Sequence, residues 1–446
     1  MKNKDTEIIG ICGLGYIGLP TLAALANVGY RVIGCDIDKQ KIERLQQTYE
    51  ADIYEPGLNE ALQRCKNKIE FTSDYEYLME NCSVIMITVG TPINEKNEPN
   101  YDYINSCIAS IGKHLRNGQL IILKSTVTPG TTEEFVSEKL KEISGLNPGQ
   151  DFYLAFCPER TIEGLALYEL SKLPKIVGGV NKESTEYAAK ILKKLGGGIV
   201  KVSSPKAAEI CKITDNLFRA VNIALANQLG EICEEDGVDA YEVANAVNKA
   251  YNRTQIFKPG LGADGPCLSK DPEILKYYAL QRNINVDFLE SSIRSNIRST
   301  LRIADVVSKF IKANKEDSLK ISFIGLAFKG SPETGDMRGS PAMKIYNKLA
   351  GKYKNIKVSV FDPVVKTFFG NSIAKDLKEC IEDANVILFL TNHPIFMNIE
   401  TKELLVNTGR PLLIIDCWHN LENVDKINEE HVSILRVGEG WLGKKY

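Results

Sequence analysis

Ile8-Ile9-Gly10-Ile11-Cys12-Gly13-Leu14-Gly15-Tyr16-Ile17-Gly18 decides the fold at the start of this chain. Five mostly apolar residues run into glycines spaced as G-x-G-x-x-G. An alanine- and leucine-rich helical stretch, Pro20 to Asn27, follows, and a second apolar run, Tyr30 to Cys35, ends on Asp36. Strand, glycine turn, helix, strand and acid in that order predict a dinucleotide-binding βαβ unit. The glycines permit a tight turn and let a pyrophosphate approach the helix N-terminus. Asp36 is placed to accept hydrogen bonds from a ribose 2′-OH. That acid favours NAD over NADP, a preference softened by nearby Lys41.

Two further apolar runs extend the unit, Val84 to Val89 before Gly90-Thr91-Pro92, and Leu120 to Thr126. Both end in small or hydroxyl residues, where open parallel sheets bind ligands. The pattern then returns near the C-terminus. Lys320 to Gly330 parallels the first strand and turn, and Ile356 to Asp362 parallels the strand ending at Asp36. Val386 to Pro394 and Leu412 to Asp416 parallel the later strands. Such an internal repeat predicts a second nucleotide fold. Its middle glycine is replaced by Ala327, and Lys329 and Arg338 follow. A diphosphate met partly by cationic side chains suits that turn better than a second dinucleotide. A purely structural duplicate is the alternative.

Between the copies, Lys206 to Gly237 reads as one long amphipathic helix, Val238 to Lys249 as a second, and roughly Phe288 to Ala313 as a third. Glu209, Lys212 and Asn216 fall at i, i+3 and i+7 and share a face. Taken alone, such a stripe is most often a solvated surface. A long helix joining two folds is also a natural dimer spine. Beyond it lies Pro259-Gly-Leu-Gly-Ala-Asp-Gly-Pro-Cys267-Leu-Ser-Lys-Asp271. Its glycines and prolines predict a loop without regular structure, and Asp271-Pro272-Glu273 predicts a helix start. Cys267 beside that helix N-terminus and Lys270 sits where a thiolate is favoured. A small core residue in a glycine turn is the plainer alternative.

With 446 residues, two or three domains are expected. We place the boundaries at 1–203 for a first Rossmann fold, 204–312 for a helical middle carrying the cysteine loop, and 313–446 for a second Rossmann-like fold. The fold class is α/β, two doubly wound parallel sheets joined by helices. Apolar residues at 43% and charged residues at 25%, with net charge −2, give no reason to expect nucleic acid or a membrane surface as partner. Eleven cysteines without a Cys-x-x-Cys pair, and an N-terminus without a leader pattern, point to a reduced cytoplasmic chain. The four histidines make no metal-ligand spacing, so no metal is expected.

The ordered set of motifs resembles the UDP-glucose/GDP-mannose dehydrogenase family of nucleotide-sugar 6-dehydrogenases. Besides Gly13 to Gly18, the resemblance is carried by Lys124-Ser-Thr-Val-Thr-Pro-Gly-Thr131, Cys157-Pro-Glu-Arg-Thr-Ile-Glu-Gly164 and Ala208-Glu-Ile-Cys-Lys212-Ile-Thr-Asp-Asn216. The Cys267 loop and Gly325 to Pro341 complete it. It implies a four-electron oxidation of a sugar C6 alcohol to a carboxylate with two NAD, through a thiohemiacetal and a thioester on Cys267. It also implies that Lys212 and Asn216 stabilise an oxyanion, and that Glu159, Thr126 and Asp271 position water and handle protons. Asp271 is further expected to orient Lys212.

By the same resemblance NAD would meet Gly13, Leu14, Gly15, Tyr16, Ile17, Gly18, Asp36, Lys41, Val89, Gly90, Thr91, Pro92, Thr126 and Glu163, with Arg338 from the second copy. The UDP-sugar would meet Glu159, Arg160, Thr161, Glu163, Lys212 and Asn216. Further contacts would come from Lys258, Gly260, Gly262, Phe328 and Lys329. Arg253 stands where family members reach a neighbouring subunit's site, which implies a homodimer or larger homo-oligomer. Signals on the sugar are mixed. Arg160 after Glu159 and the Arg253–Cys267 spacing resemble the UDP-N-acetylhexosamine branch. Lys270 before Asp271 resembles the UDP-glucose and GDP-mannose branches, and Pro266 replaces the histidine common in the first. Asp264 stands where glycine is usual, and Asp416-Cys-Trp-His419 lacks the arginine often found there. The balance favours a UDP-N-acetylhexosamine, then UDP-glucose, then GDP-mannose. A single-step hydroxyacid or polyol dehydrogenase would explain the first domain but not the thiol loop. A non-catalytic nucleotide-sugar sensor would not need Cys267, Lys212, Asn216, Glu159 and Asp271 together.

Overall fold

The apolar runs become the strands of two sheets. A computed structural model describes residues 7–314, 319–406, 408–427 and 429–446. The expectation about an N-terminal leader falls largely on residues 1–6, outside the described residues. The chain divides into two compact units, residues 1–215 with 273–284, and residues 216–272 with 285–446.

In the first unit the strands are β1 (Ile8–Cys12), β2 (Arg31–Cys35), β3 (Ile69–Thr72), β4 (Val84–Ile87), β5 (Leu120–Leu123), β6 (Tyr153–Phe156), β7 (Lys175–Gly179) and β8 (Ile199–Lys201). They pair in the order β3-β2-β1-β4-β5-β6-β7-β8. Pairing is parallel from β3 through β6, and β7 enters antiparallel. The order reverses between β1 and β4, which places a crevice at the C-terminal ends of those strands. Alternate residues feed two cores, one under Ile9, Ile11 and Met86, the other under Cys12, Ile85 and Ile87. Most of these strands are buried along their length, as expected of a parallel sheet covered on both faces.

The second unit repeats the scheme. Its sheet runs Lys357–Phe361, Lys320–Ile324, Val386–Phe389, Leu412–Asp416, Val432–Arg436 and Gly440–Leu442, parallel except for the last pair. The repeat extends to single bonds. Gly13 N–H donates to Cys35 O at 2.8 Å, and Gly325 N–H donates to Phe361 O at 2.8 Å. The copies differ after the turn. The first helix begins at Gly18, directly on the glycines, whereas the second begins at Pro341 after a long irregular segment. The N–H groups of Leu326 and Ala327 donate to Asp362 Oδ2 at 2.7 and 3.1 Å, so this turn already spends its donors on its own chain.

The middle helices span Pro205–Asp236, Ala240–Asn248 and Asp287–Asn314. One expectation needs correction. The cysteine loop is not irregular throughout, because Gly265–Leu268 forms a single helical turn. Pro266 sits in its first turn, where a missing N–H costs no hydrogen bond. The helix expected at Asp271 runs Asp271–Leu280. No helix among the described residues is long and apolar enough to cross a membrane.

Candidate active site

The glycine turn of the first unit fits a dinucleotide. Gly13 has φ +94, and a Cβ on Gly18 would stand 1.8 Å from Gly13 O, so both positions demand glycine. A Cβ on Gly15 would meet nothing within 4 Å, which leaves that face open toward a ligand. Asp36, at the end of β2, accepts the N–H of Leu14 at 2.8 Å and of Asp38 at 3.0 Å, and Lys41 Nζ lies 3.7 Å away. A carboxylate has about four acceptor sites, so lone pairs remain for ribose hydroxyls. β4 ends at Ile87, two residues short of expectation. Thr88 there turns its hydroxyl back to donate to Cys12 O at 2.9 Å or Gly13 O at 2.7 Å. Ser125 does the same after β5, donating to Val89 O at 2.6 Å. Val89 to Pro92 and Thr126 are thus loop residues held by hydroxyls, and Thr126 is half-buried.

Glu159 is buried just past β6. Its Oε1 accepts the N–H groups of Arg160 and Thr161 at 2.8 and 3.0 Å, and Oε2 faces Lys124 Nζ at 3.3 Å. Burial alone would push this carboxyl up. Lys124 and the two N–H donors outweigh it and hold Glu159 below the usual carboxylate range. Arg160 Nε donates to Asp215 Oδ2 at 2.5 Å. Glu163 lies in a turn built by buried Glu55, whose oxygens accept Gly164 N–H and Ala166 N–H, each at 2.7 Å. Lys124, Asp215 and Glu55 were given no role by the sequence. Lys124 and Asp215 lay inside quoted motifs and so had a signal, whereas Glu55 had none.

The Glu209-Lys212-Asn216 stripe is not solvated. Glu209 and Asn216 are fully buried and Lys212 is 8% exposed. Glu209 takes the N–H of Gly130, and the N–H and hydroxyl of Thr132, at 2.5, 2.8 and 2.6 Å. It therefore anchors the turn after Thr126 rather than facing solvent. Lys212 and Asn216 sit one turn apart on the same helix.

In the second unit Asn216 Nδ2 donates to Asp271 Oδ2 at 2.5 Å, and the guanidinium of Arg219 donates to Asn216 Oδ1. Asp271 thus holds the side chain of Asn216. Lys270 Nζ is 3.8 Å from Asp271 Oδ1. Cys267 is exposed, at the one-turn helix. Gly265 before it has φ +84, and a Cβ there would stand 2.4 Å from the Phe328 ring. Gly262 is pressed against the 287–314 helix, where a Cβ would meet Asn296 O at 2.0 Å. Gly260 packs on Trp418. Lys329 Nζ donates to Pro332 O at 2.9 Å, and Arg338 pairs with Asp336 while its side chain stays 59% exposed. Lys258 Nζ lies 5.0 Å from the centre of the Tyr241 ring, and Arg253 is exposed beside Tyr251.

One histidine contact escaped the sequence. Asp239, His419 and Glu439 bring possible metal-ligand atoms within 4.8 Å of one another. Arg436 pairs with Glu439, and Asp239 caps the 240–248 helix by accepting Tyr241 N–H, so both carboxylates already have donors.

Three consecutive family matches cover most of the chain. Residues 7–196 match the NAD binding domain of the UDP-glucose/GDP-mannose dehydrogenase family, 206–298 its central domain and 322–423 its UDP binding domain. The chain belongs to this family. A UDP-N-acetyl-D-mannosamine dehydrogenase of Methanococcus aeolicus is 31% identical, with 99% of each chain covered. The structure of a UDP-D-ManNAc dehydrogenase from Pyrococcus horikoshii is 31% identical, covering 97% of this chain and 99% of that one, with TM-score 0.87. A UDP-N-acetyl-mannosamine dehydrogenase structure from Staphylococcus aureus is 30% identical, covering 97% and 98%, with TM-score 0.81. The family assignment makes residues 7–196 an NAD binding domain and 322–423 a UDP binding domain, and places the chain among NAD-dependent nucleotide-sugar oxidoreductases.

Proposed function

We propose that this chain oxidises the C6 alcohol of UDP-N-acetylmannosamine to the uronate in two steps. The observation that carries the reading is an exposed Cys267 in a glycine-held turn, on a chain that also has an NAD fold and a UDP fold. The likeness to UDP-N-acetyl-D-mannosamine dehydrogenases across nearly the whole chain supports the sugar. In this reading residues 1–203 serve NAD, 204–312 supply the thiol and oxyanion donors, and 313–446 hold the nucleotide.

Two NAD, held in turn by the first fold at Gly13 to Gly18 and Asp36, would each take one hydride from C6. The chain's own groups do the rest. The Cys267 sulfur adds to the aldehyde carbon, so the intermediate stays on the enzyme instead of escaping. Lys212 and Asn216 donate to the oxygen on which negative charge develops. Asn216 is held for this by Asp271 and Arg219, so its amide is oriented before substrate arrives. Glu159, kept ionised by Lys124, is the base that draws a proton from the water hydrolysing the thioester. Thr126 and Asp271 position that water. The NAD and UDP-sugar contacts are those named from the motifs, with Gly13 to Gly18 and Asp36 for NAD, and Arg160, Thr161, Lys258, Phe328 and Lys329 for the sugar nucleotide. The test is kcat/KM for UDP-N-acetylmannosamine, UDP-N-acetylglucosamine, UDP-glucose and GDP-mannose. UDP-N-acetylmannosamine should lead, and a lead for UDP-glucose would transfer the reading to that sugar.

The same reading includes a homodimer. Ile210, Phe218, Leu225 and Ile232 are all exposed on the 205–236 helix. Their spacing of seven or eight residues puts them along one side of it. Sedimentation of the full chain should give at least a dimer, and a monomer at micromolar concentration would remove this part.

A further inference from the structure

The segment before Cys267 is held by side chains from three helices, and its most demanding tie is a buried charge. Asn227, on the 205–236 helix, accepts Gly260 N–H at 2.8 Å and donates to Leu261 O at 2.9 Å. Asn296, on the 287–314 helix, accepts Ala263 N–H at 3.0 Å. One turn along the same helix, Thr300 accepts Gly262 N–H at 3.0 Å, and its hydroxyl donates to Asp264 Oδ2 at 2.6 Å. The other Asp264 oxygen pairs with Lys344, on helix Pro341–Ala350 of the second nucleotide fold. The Asp264 side chain is only 5% exposed. Next to it, Gly265 N–H donates to Gly339 O at 3.0 Å, just before that helix.

We propose that Asp264 and Lys344 are a positioning pair that registers the Cys267 turn against the start of the 341–350 helix. The helix begins where the irregular segment carrying Lys329 and Arg338 ends, so the tie joins the thiol turn to the part of the UDP fold nearest the expected diphosphate. Neither side chain is assigned contact with substrate. An apolar pair could fill the same space, but it would not fix direction. A carboxylate with a hydroxyl on one oxygen and an ammonium on the other has one geometry that satisfies all three groups. The consequence for rate rests on the functional reading above. The tie itself does not.

The experiment uses the full-length enzyme and the variants Asp264→Asn, Lys344→Met and Lys344→Arg. Amide exchange is followed at residues 260–268, together with kcat, the KM for NAD and calorimetric affinity for UDP. Asn and Met variants should exchange faster at Gly262, Ala263 and Gly265, with kcat down about tenfold or more, because small misplacements of a reacting group are costly. The KM for NAD should stay within about twofold, since the loss falls on positioning rather than on binding. Lys344→Arg should keep most of the rate. Should Asp264→Asn fail to fold, Lys344→Met carries the same expectation, because the Lys344 side chain is 32% exposed. Unchanged exchange, a wild-type kcat with faster exchange, or equal losses in the Met and Arg variants would each overturn the proposal. A wild-type enzyme inactive on every nucleotide sugar would instead overturn the functional reading, and exchange would still decide the tie.

Discussion

Lys124 Nζ lies 3.3 Å from Glu159 Oε2, with the two side chains only 3% and 9% exposed, beyond the C-terminal ends of adjacent strands β5 and β6. The pair keeps a carboxylate charged in a buried place. Burial pushes the Glu159 carboxyl up, and the Lys124 charge is the largest of the effects that hold it down.

Lys124→Met should therefore be worse than the double variant Lys124→Met/Glu159→Gln. Breaking a buried pair from one side costs about 3–5 kcal/mol, since it strands a charge. Urea unfolding of both variants measures the difference. Glu159 has a depressed pKa in the fold, so its stabilisation is present above the unfolded carboxylate value and is lost as pH falls through the folded one. In Lys124→Met that stabilisation should shrink, and what remains should be lost at a higher pH than in wild type. The acidic limb of kcat/KM should move to higher pH in the same variant.

Gly15→Ala and Gly18→Ala should separate binding from folding. At Gly15 a methyl meets nothing within 4 Å, so the fold should persist while NAD affinity drops, because the pyrophosphate must come close there. At Gly18 the methyl would collide with Gly13 O, and Tm should fall with or without NAD. Calorimetry in the presence and absence of NAD distinguishes the two patterns. Equal Tm losses would mean that the open face at Gly15 has no ligand role.

Asp36→Ala should raise the KM for NAD about tenfold or more, the scale of hydrogen bonds to a charged acceptor. The KM for the sugar should change little. An unchanged value for NAD would mean that Asp36 serves only the N–H groups of Leu14 and Asp38.

Much of this was legible in the sequence because it is written locally. Apolar runs, the glycine spacing after Cys12 and the acid at Asp36 depend on neighbours a few residues away, and their strands and turn appeared where expected. Expectation failed where partners are remote. Glu55 folds the turn at Gly164 from 109 positions away, and Asp264 meets Lys344 across 80. Glu209 looked like a surface charge because periodicity marks a shared face without saying what covers it. Its partners, Gly130 and Thr132, belong to a loop that no spacing connects to the helix. Cys267 was found by its glycine- and proline-rich surroundings, yet those same residues hid the single helical turn that carries it.

Glu209→Ala would leave the N–H groups of Gly130 and Thr132 without their acceptor in a buried place. A loss of about 2–6 kcal/mol is expected, from two stranded N–H donors at about 1–3 kcal/mol each. Denaturant unfolding checks it. A loss under about 1 kcal/mol would mean that water replaces the carboxylate there.

We propose that Cys267 holds the intermediate through both oxidations. It is tested most directly by NADH released at completion from limiting UDP-N-acetylmannosamine, in wild type and in Cys267→Ser. Wild type should give two NADH per sugar and no free aldehyde, with the second oxidation blocked in Cys267→Ser. One NADH per sugar from wild type, or two from Cys267→Ser at the normal rate, would contradict it.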